Sequence, residues 1–225
     1  MSNIISLSGG KDSTAMLLMM IEKKIKIDHI VFFDTGWDFP EMIEHIDKLE
    51  KYIDKKIIRL KPKRDFYEML PKWGIPVRVN RWCTREKVRT IYKYINQYKP
   101  NTQWIGFSYN EAKRIKKTIG YCYPLVDWKV TEEDALKYCF DKGFDWGGLY
   151  KKHIRVNCWL CPFQRISDLK TLWMDYPEYW KKLIEIQRHS KYPFRKDYTL
   201  EELDERFTRE ENYYQMEICY TGNII

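Results

Sequence analysis

Apolar runs alternate with polar, glycine-bearing breaks along the first third of the chain, and the length of each run separates strand from helix. Ile4-Ile5-Ser6-Leu7 is a short β-prone run, Ser8-Gly9-Gly10-Lys11-Asp12-Ser13-Thr14 breaks it, and Ala15-Met16-Leu17-Leu18-Met19-Met20-Ile21 follows as good helix formers. The pattern predicts strand, tight loop, helix. His29-Ile30-Val31-Phe32-Phe33 predicts a second strand that delivers Asp34-Thr35-Gly36 and then Phe39-Pro40-Glu41. Pro40 opens a second predicted helix, with Met42, Ile43, Ile46, Leu49 and Ile53 at helical spacing and Glu44, Lys48 and Lys51 opposite. Lys56 to Leu60 predicts a third strand. Such alternation, with short connections, implies an α/β fold with a doubly wound, mostly parallel sheet and right-handed crossovers.

The pattern loosens from Lys61 to Pro76, where a short helix is predicted around Asp65 to Leu70. Arg81-Trp82-Cys83-Thr84 leads into a basic amphipathic helix with Lys87, Arg89 and Lys93, and Gln103 to Ser108 predicts another strand. Thr131-Glu132-Glu133-Asp134 has the hydroxyl-x-x-carboxylate spacing of a capping box, opening a helix through Cys139 that Gly143 stops. Charged helices are predicted between Ser167 and His189 and between Leu200 and Gln215. The expected organisation is an α/β domain over residues 1–165 and a C-terminal helical cap over 166–225 packed on it.

The first break has the chemistry of an anion cradle. Glycines let the backbone turn sharply and expose successive N–H groups, and the N-terminus of the following helix favours negative charge. Ser8, Ser13 and Thr14 offer hydroxyl groups, and Lys11 adds a point charge. The spacing fits neither a Walker A loop nor a G-x-G-x-x-G dinucleotide fingerprint.

Ser8-Gly9-Gly10-Lys11-Asp12-Ser13 after a first strand resembles the PP-loop of the adenine-nucleotide alpha-hydrolase-like superfamily. Paired with Asp34-Thr35-Gly36, it is similar to the phosphoadenosine phosphosulfate (PAPS) reductase family, over residues 3 to about 165. The resemblance implies a Rossmann-like fold in which Ser8, Gly9, Gly10, Lys11, Asp12, Ser13, Asp34, Thr35 and Gly36 contact the nucleotide. It further implies that Lys11, Asp12 and Arg114 are the catalytic group. With ATP, cleavage would fall between the α- and β-phosphates, and Asp12 or Asp34 would help hold Mg²⁺. With PAPS, the same loop would cradle sulfate or phosphate.

Cys83 and Cys158-x-x-Cys161 form a second constellation, whose spacing suits a metal ion or cluster, a redox dithiol or core thiols. In cluster-bearing relatives a Cys-Cys pair precedes a basic helix, and here Trp82 takes one place of that pair. A 4Fe-4S cluster, or Zn²⁺ as the alternative, would then draw its fourth ligand from Cys139, with Cys122 and His153 as competitors. Three cysteines alone would leave one iron open, an arrangement like that of iron–sulfur PP-loop thiolases. PAPS reductases carry a nucleophilic Cys in a Glu-Cys-Gly-Leu/Ile-His tail, whereas this chain reads Met216-Glu217-Ile218-Cys219-Tyr220-Thr221-Gly222. It retains the cysteine but neither the motif nor its histidine.

Composition narrows the classes. The 225 residues carry a net charge of +8, with 44% hydrophobic and 32% charged positions, which describes a globular domain without a disorder signature. No apolar run is long enough for a membrane span and no cleavable signal is visible, so a cytoplasmic location is expected and the cysteines read as thiols or ligands. The basic balance and aromatic content of 16% fit an anionic partner. The expectation is an ATP-dependent enzyme that adenylates a substrate and transfers sulfur through the cysteine-bound cluster, with a tRNA or DNA acceptor, a sulfur-donor protein and a homodimer as candidate partners. Two rivals stand beside it: thiol-dependent reduction of PAPS or adenosine phosphosulfate to sulfite, and a non-catalytic nucleotide- or nucleic-acid-binding module with structural zinc.

Overall fold

A computed structural model describes residues 1–116 and 118–221, with side chains to Gln215. The chain forms two compact units, one of Met1–Lys63 with Thr84–Cys158 and one of Arg64–Cys83 with Trp159 onward.

The first unit is built on five parallel strands in the order β3-β2-β1-β4-β5. Their ranges are β1 Ser2–Leu7, β2 His29–Phe33, β3 Ile57–Leu60, β4 Asn101–Ile105 and β5 Tyr121–Cys122. Helices α1 (Lys11–Glu22) and α2 (Pro40–Ile53) connect the first three strands. Because β1 pairs with both β2 and β4, the strand order reverses beside it, and the carboxyl ends of β1 and β4 flank the crevice where open sheets of this kind take ligands. The loop after β1 opens into that crevice.

Helix α1 is enclosed almost all round. Ala15, Met16, Leu17 and Met20 are fully buried, and so is Thr14. Burying each large apolar side chain is worth about 1.5–3 kcal/mol, so the apolar run anchors the loop ahead of it. Helix α2 buries Met42, Ile46 and Leu49 as the periodicity predicts, together with His45 on the same face. The strand expected at Gln103–Ser108 instead starts at Asn101 and ends at Ile105. Gly106 leaves the ladder because its backbone passes against Ser13: a Cβ there would lie 2.7 Å from the Ser13 Cα and 2.9 Å from its N.

The remaining helices of this unit are α5 (Pro124–Asp127), α6 (Glu132–Asp141) and α7 (Leu149–Lys152). The capping box at Thr131 and Asp134 forms with both of its hydrogen bonds, and Gly143 follows α6 at φ +82°. Helix α4 (Trp82–Ile95) begins in the second unit and continues into the first.

In the second unit, α3 (Phe66–Trp73) precedes α8 (Ile166–Asp175), α9 (Pro177–Arg188) and α10 (Leu200–Thr221). Asp204 Oδ1 ties three helices together, accepting from Trp173 Nε1 at 3.0 Å and from Trp180 Nε1 at 2.7 Å. Trp82 is buried, donates to the Gly74 carbonyl at 3.0 Å and meets Phe66 edge-on. No helix among the described residues is long and apolar enough to cross a membrane.

The close passage at Gly106 yields a test. Gly106→Ala would press a methyl group into backbone that has no flexible side chain to yield, and is expected to lower stability by about 1–3 kcal/mol. Urea unfolding measures it; a variant as stable as the parent would show that the two loops do not pack this closely.

Candidate functional site

The loop between β1 and α1 is held by its own hydroxyls and by the segment from Cys139 to Tyr150. Ser13 Oγ accepts from the Ser8 N–H at 3.1 Å, lies 2.9 Å from Ser8 Oγ and donates to the Gly10 carbonyl at 3.0 Å. Gly9 sits at φ +82°, and a Cβ there would fall 2.5 Å from Met42 Sδ, so both backbone and space require glycine. From the other side, Trp146 Nε1 donates to the Gly9 carbonyl at 2.7 Å, the Lys11 N–H donates to the Tyr150 hydroxyl at 2.8 Å, and Cys139 Sγ donates to the Lys11 carbonyl at 3.6 Å.

The charged groups around this loop form an alternating chain. Buried Lys11 places its Nζ 2.9 Å from Glu132 Oε2 and 3.3 Å from Asp12 Oδ2. Arg155 reaches Glu132 at 3.4 Å and Glu111 at 3.7 Å, and Glu111 pairs in turn with Arg114. The Arg114 guanidinium also lies 4.4 Å from the Phe107 ring centroid. A cavity of about 510 Å³ opens here, lined in part by Lys11, Asn110, Glu132, Tyr150 and His153.

Asp12 is the outlier within that chain. Its Oδ1 is buried and has no hydrogen-bond partner among the described residues. Burial raises the pKa of its carboxyl, and the neighbouring Lys11 only partly opposes this. Ser108 Oγ, fully buried, likewise lacks a partner.

The loop after β2 is more self-contained. Asp34 Oδ1 accepts from the Gly36 N–H at 2.9 Å, and its Oδ2 lies 3.6 Å from Lys61 Nζ. Gly36 is at φ +72°. Thr35 donates from both N–H and Oγ1 to Asp38 Oδ2, at 3.1 and 2.7 Å, and Cys158 Sγ approaches Thr35 Oγ1 at 3.5 Å and Asp38 Oδ1 at 3.7 Å.

The cysteines expected to form one ligand set occupy distinct environments. Cys139 is fully buried against the Lys11 carbonyl, and desolvation pushes its thiol up to about 12. Cys158 belongs to the first unit beside Asp38. Within the second unit, burial pushes the Cys161 thiol up to about 11; Cys83 adds to that rise and Arg81 opposes it. Both Arg78 and Arg81 there lie over the Phe163 ring, at 5.6 and 5.2 Å. Cys122 is half-buried on β5, and His153 lies buried beside Phe39. Among the described residues, no group of three or more His, Cys, Asp or Glu side chains is arranged to hold a metal ion. Cys83, Cys139, Cys158 and Cys161 are thus not gathered into one ligand set among the described residues, and no chemistry is derived through a cluster or zinc. The Cys219 side chain lies outside the described residues.

A parallel doubly wound sheet with a glycine loop and a buried lysine at its switch point defines an α/β domain of the nucleotide-binding kind. The chain belongs to the phosphoadenosine phosphosulfate reductase domain family, whose model matches residues 2–166. An uncharacterised protein of Methanocaldococcus jannaschii is 28% identical over 202 residues, covering 80% of this chain and 40% of that protein. Adenosine 5'-phosphosulfate reductase 2 of Bacillus subtilis is 26% identical over 162 residues, 65% of this chain and 66% of that one. The crystal structure of PAPS reductase from Candida auris in its phosphate complex superposes with a TM-score of 0.54 at 17% identity, covering 72% of this chain and 83% of that one, which establishes likeness of fold. This chain spans less than half the length of two M. jannaschii relatives, 40% and 48%.

Four residues that organise the loop escape a reading of sequence: Glu132, Arg155, Tyr150 and His45. Only three-dimensional proximity identifies them. His45 Nε2 lies 3.1 Å from Thr14 Oγ1, and its ring stacks on Trp146 at 4.4 Å. Burial lowers its pKa from 6.5 to about 3, with Lys48 adding to the effect.

The sign of the resulting pH dependence follows from linkage. Below its ordinary pKa of 6.5 the unfolded chain binds a proton at this ring that the folded chain refuses until about 3. Stability contributed by neutral His45 is therefore full above that range and falls as pH drops through it, by at most about 1.4 kcal/mol per pH unit. Urea unfolding between neutral and mildly acidic pH should show a shallower slope for His45→Gln than for the parent; equal slopes would place the acid sensitivity elsewhere.

Proposed function

We propose that this chain binds the phosphate tail of ATP at the loop from Ser8 to Ser13 and uses the nucleotide to adenylate an acceptor in sulfur metabolism. The observation that carries the reading is Asp12: a buried carboxylate oxygen without a partner, next to a buried lysine, at the amino end of a twelve-residue helix. Asp12 would help hold a Mg²⁺ ion, which would supply charge neutralisation to the phosphates, since hard cations take carboxylate oxygen. Asp34 fits less well, because the Gly36 N–H and Lys61 already attend its oxygens.

In this reading the N–H groups at the start of α1 beyond Lys11 orient the phosphates, on a turn whose shape the Ser8 and Ser13 hydroxyls fix. The acceptor's nucleophilic atom attacks the α-phosphorus, the bond to the bridging oxygen breaks, and pyrophosphate departs into the loop. Lys11 lies where charge accumulates on the departing oxygens, and positioning with charge neutralisation supplies most of the acceleration. Glu132 holds Lys11 before the ligand arrives and exchanges it for a phosphate oxygen afterwards. Arg155 and Arg114, carried by Glu111, extend the cationic lining toward the acceptor, for which a nucleic acid fits the net charge of +8. A sulfide-level nucleophile, hydrosulfide delivered by a sulfur-donor protein, would then attack the adenylated carbon, the C–O bond breaking as AMP leaves, with no change of oxidation state.

Reduction of PAPS or adenosine phosphosulfate is the second reading, favoured by the B. subtilis relative's name and by a loop equally suited to sulfate. It needs an attacking thiol, for which the candidate is Cys219, whose side chain lies outside the described residues.

Isotope exchange between ATP and pyrophosphate, with Mg²⁺ and a panel of tRNA and DNA acceptors, decides between them. Exchange is expected in the parent and a loss of at least 100-fold in Lys11→Ala. Sulfite release from PAPS with no exchange under any acceptor would replace adenylation with reduction.

A further inference from the structure

The turn that delivers Tyr150 to the loop is strained. Trp146 adopts φ +52°, a left-handed conformation that a bulky side chain rarely takes, and Gly147 and Gly148 follow at +58° and +85°. A strained aromatic residue persists only where its surroundings over-determine it. Here the Trp146 indole is fixed between the Gly9 carbonyl and the His45 ring. The consequence appears four residues later, where the Tyr150 hydroxyl oxygen meets the Lys11 N–H at 2.8 Å.

Gly10 makes that approach feasible. Its φ of −74° is available to any residue, so backbone conformation does not demand glycine there. A Cβ at Gly10, however, would lie 3.2 Å from the Tyr150 hydroxyl, closer than such contacts ordinarily come. The second glycine of the loop thus leaves room for a phenol.

A phenol that accepts one N–H still has a proton to donate. Among the described residues nothing accepts the Tyr150 proton. Desolvation holds the phenol's pKa above its ordinary value of 10, so the proton stays in place at neutral pH. Lys11 Nζ lies 5.9 Å from the centroid of the same ring, and Tyr150 and Lys11 line one cavity.

We propose that Tyr150 is an anion-binding residue of this loop, donating its phenolic proton to a phosphate oxygen of the ligand while its oxygen keeps the Lys11 N–H oriented. The inference rests on the nucleotide reading above and adds to it a residue outside the glycine loop. Tyr150 thereby separates ligands with a phosphate at the head of α1 from those without one, because the hydroxyl reaches the first amide of the helix and no further.

Tyr150→Phe removes one oxygen and keeps the ring against Trp146. Titration calorimetry with pyrophosphate, Mg-ATP and adenosine, run beside urea unfolding of the ligand-free protein, tests the assignment. Pyrophosphate and Mg-ATP are expected to bind about tenfold more weakly or worse, in line with a lost hydrogen bond to a charged group, while adenosine binding changes little and the ligand-free protein, though less stable by the lost Lys11 N–H contact, stays folded at the temperature of the titration. Unchanged affinity for both phosphate compounds overturns the proposal. Tighter binding overturns it too, and makes the hydroxyl a plug that the anion must displace. Equal weakening for adenosine, or a fall in ligand-free stability that accounts for the loss, reduces Tyr150 to a structural cap. Failure of the parent to bind either phosphate compound removes the nucleotide reading and this inference together, whereas parent binding with an indifferent variant removes only this one.

Discussion

The arrangement on which the first unit depends is the grip on three consecutive peptide groups between Gly9 and Asp12. An indole N–H takes the Gly9 carbonyl, a thiol takes the Lys11 carbonyl and a phenol takes the Lys11 amide. A glycine loop left alone would sample many conformations, and ordering it would cost about 1–2 kcal/mol per residue at the moment of binding. Here that ordering is met during folding, because the clamping side chains are themselves fixed in the core: Trp146 and Cys139 are buried. The loop is therefore pre-organised, the condition under which oriented N–H groups act most strongly on developing charge.

Electrostatics of the same region follow from burial. Lys11 retains little contact with water, and a lone buried ammonium would be strongly penalised. Glu132 and Asp12 compensate it, Arg155 compensates Glu132, and Glu111 joins Arg155 to Arg114. Each exposed link in this chain is worth little by itself, since solvent screens it. Its importance lies in keeping three cations near one loop with counter-charges that an incoming polyanion can replace. The raised pKa of Asp12 shows that the compensation is incomplete on one side.

Much of this was legible in the order of residues. The apolar runs from Ile4 to Leu7 and from His29 to Phe33 could bury only as strands, and the run after Thr14 was long enough for a helix closed in on all sides. The glycine pair then had to fall at a strand's carboxyl end, and it does. The partners of the loop were not legible. Trp146 and Tyr150 stand 137 and 139 positions from the groups they hold, and nothing in local spacing links them. His45 was hidden for a different reason: a histidine on an apolar helix face carries no mark of whether it is buried, and only the Trp146 ring above it and Thr14 below decide the matter.

Cys139 illustrates how spacing misleads where burial decides. On sequence, its place on the helix leading toward Cys158 made it a natural fourth ligand. In the fold its side chain turns instead beneath α1, where the thiol donates to a backbone carbonyl and desolvation drives its pKa to about 12. That burial makes it useful to the loop, since a thiol is small and apolar enough to pack under α1 yet still satisfies the Lys11 carbonyl. The cysteine therefore belongs with Trp146 and Tyr150 as part of the grip on the glycine turn.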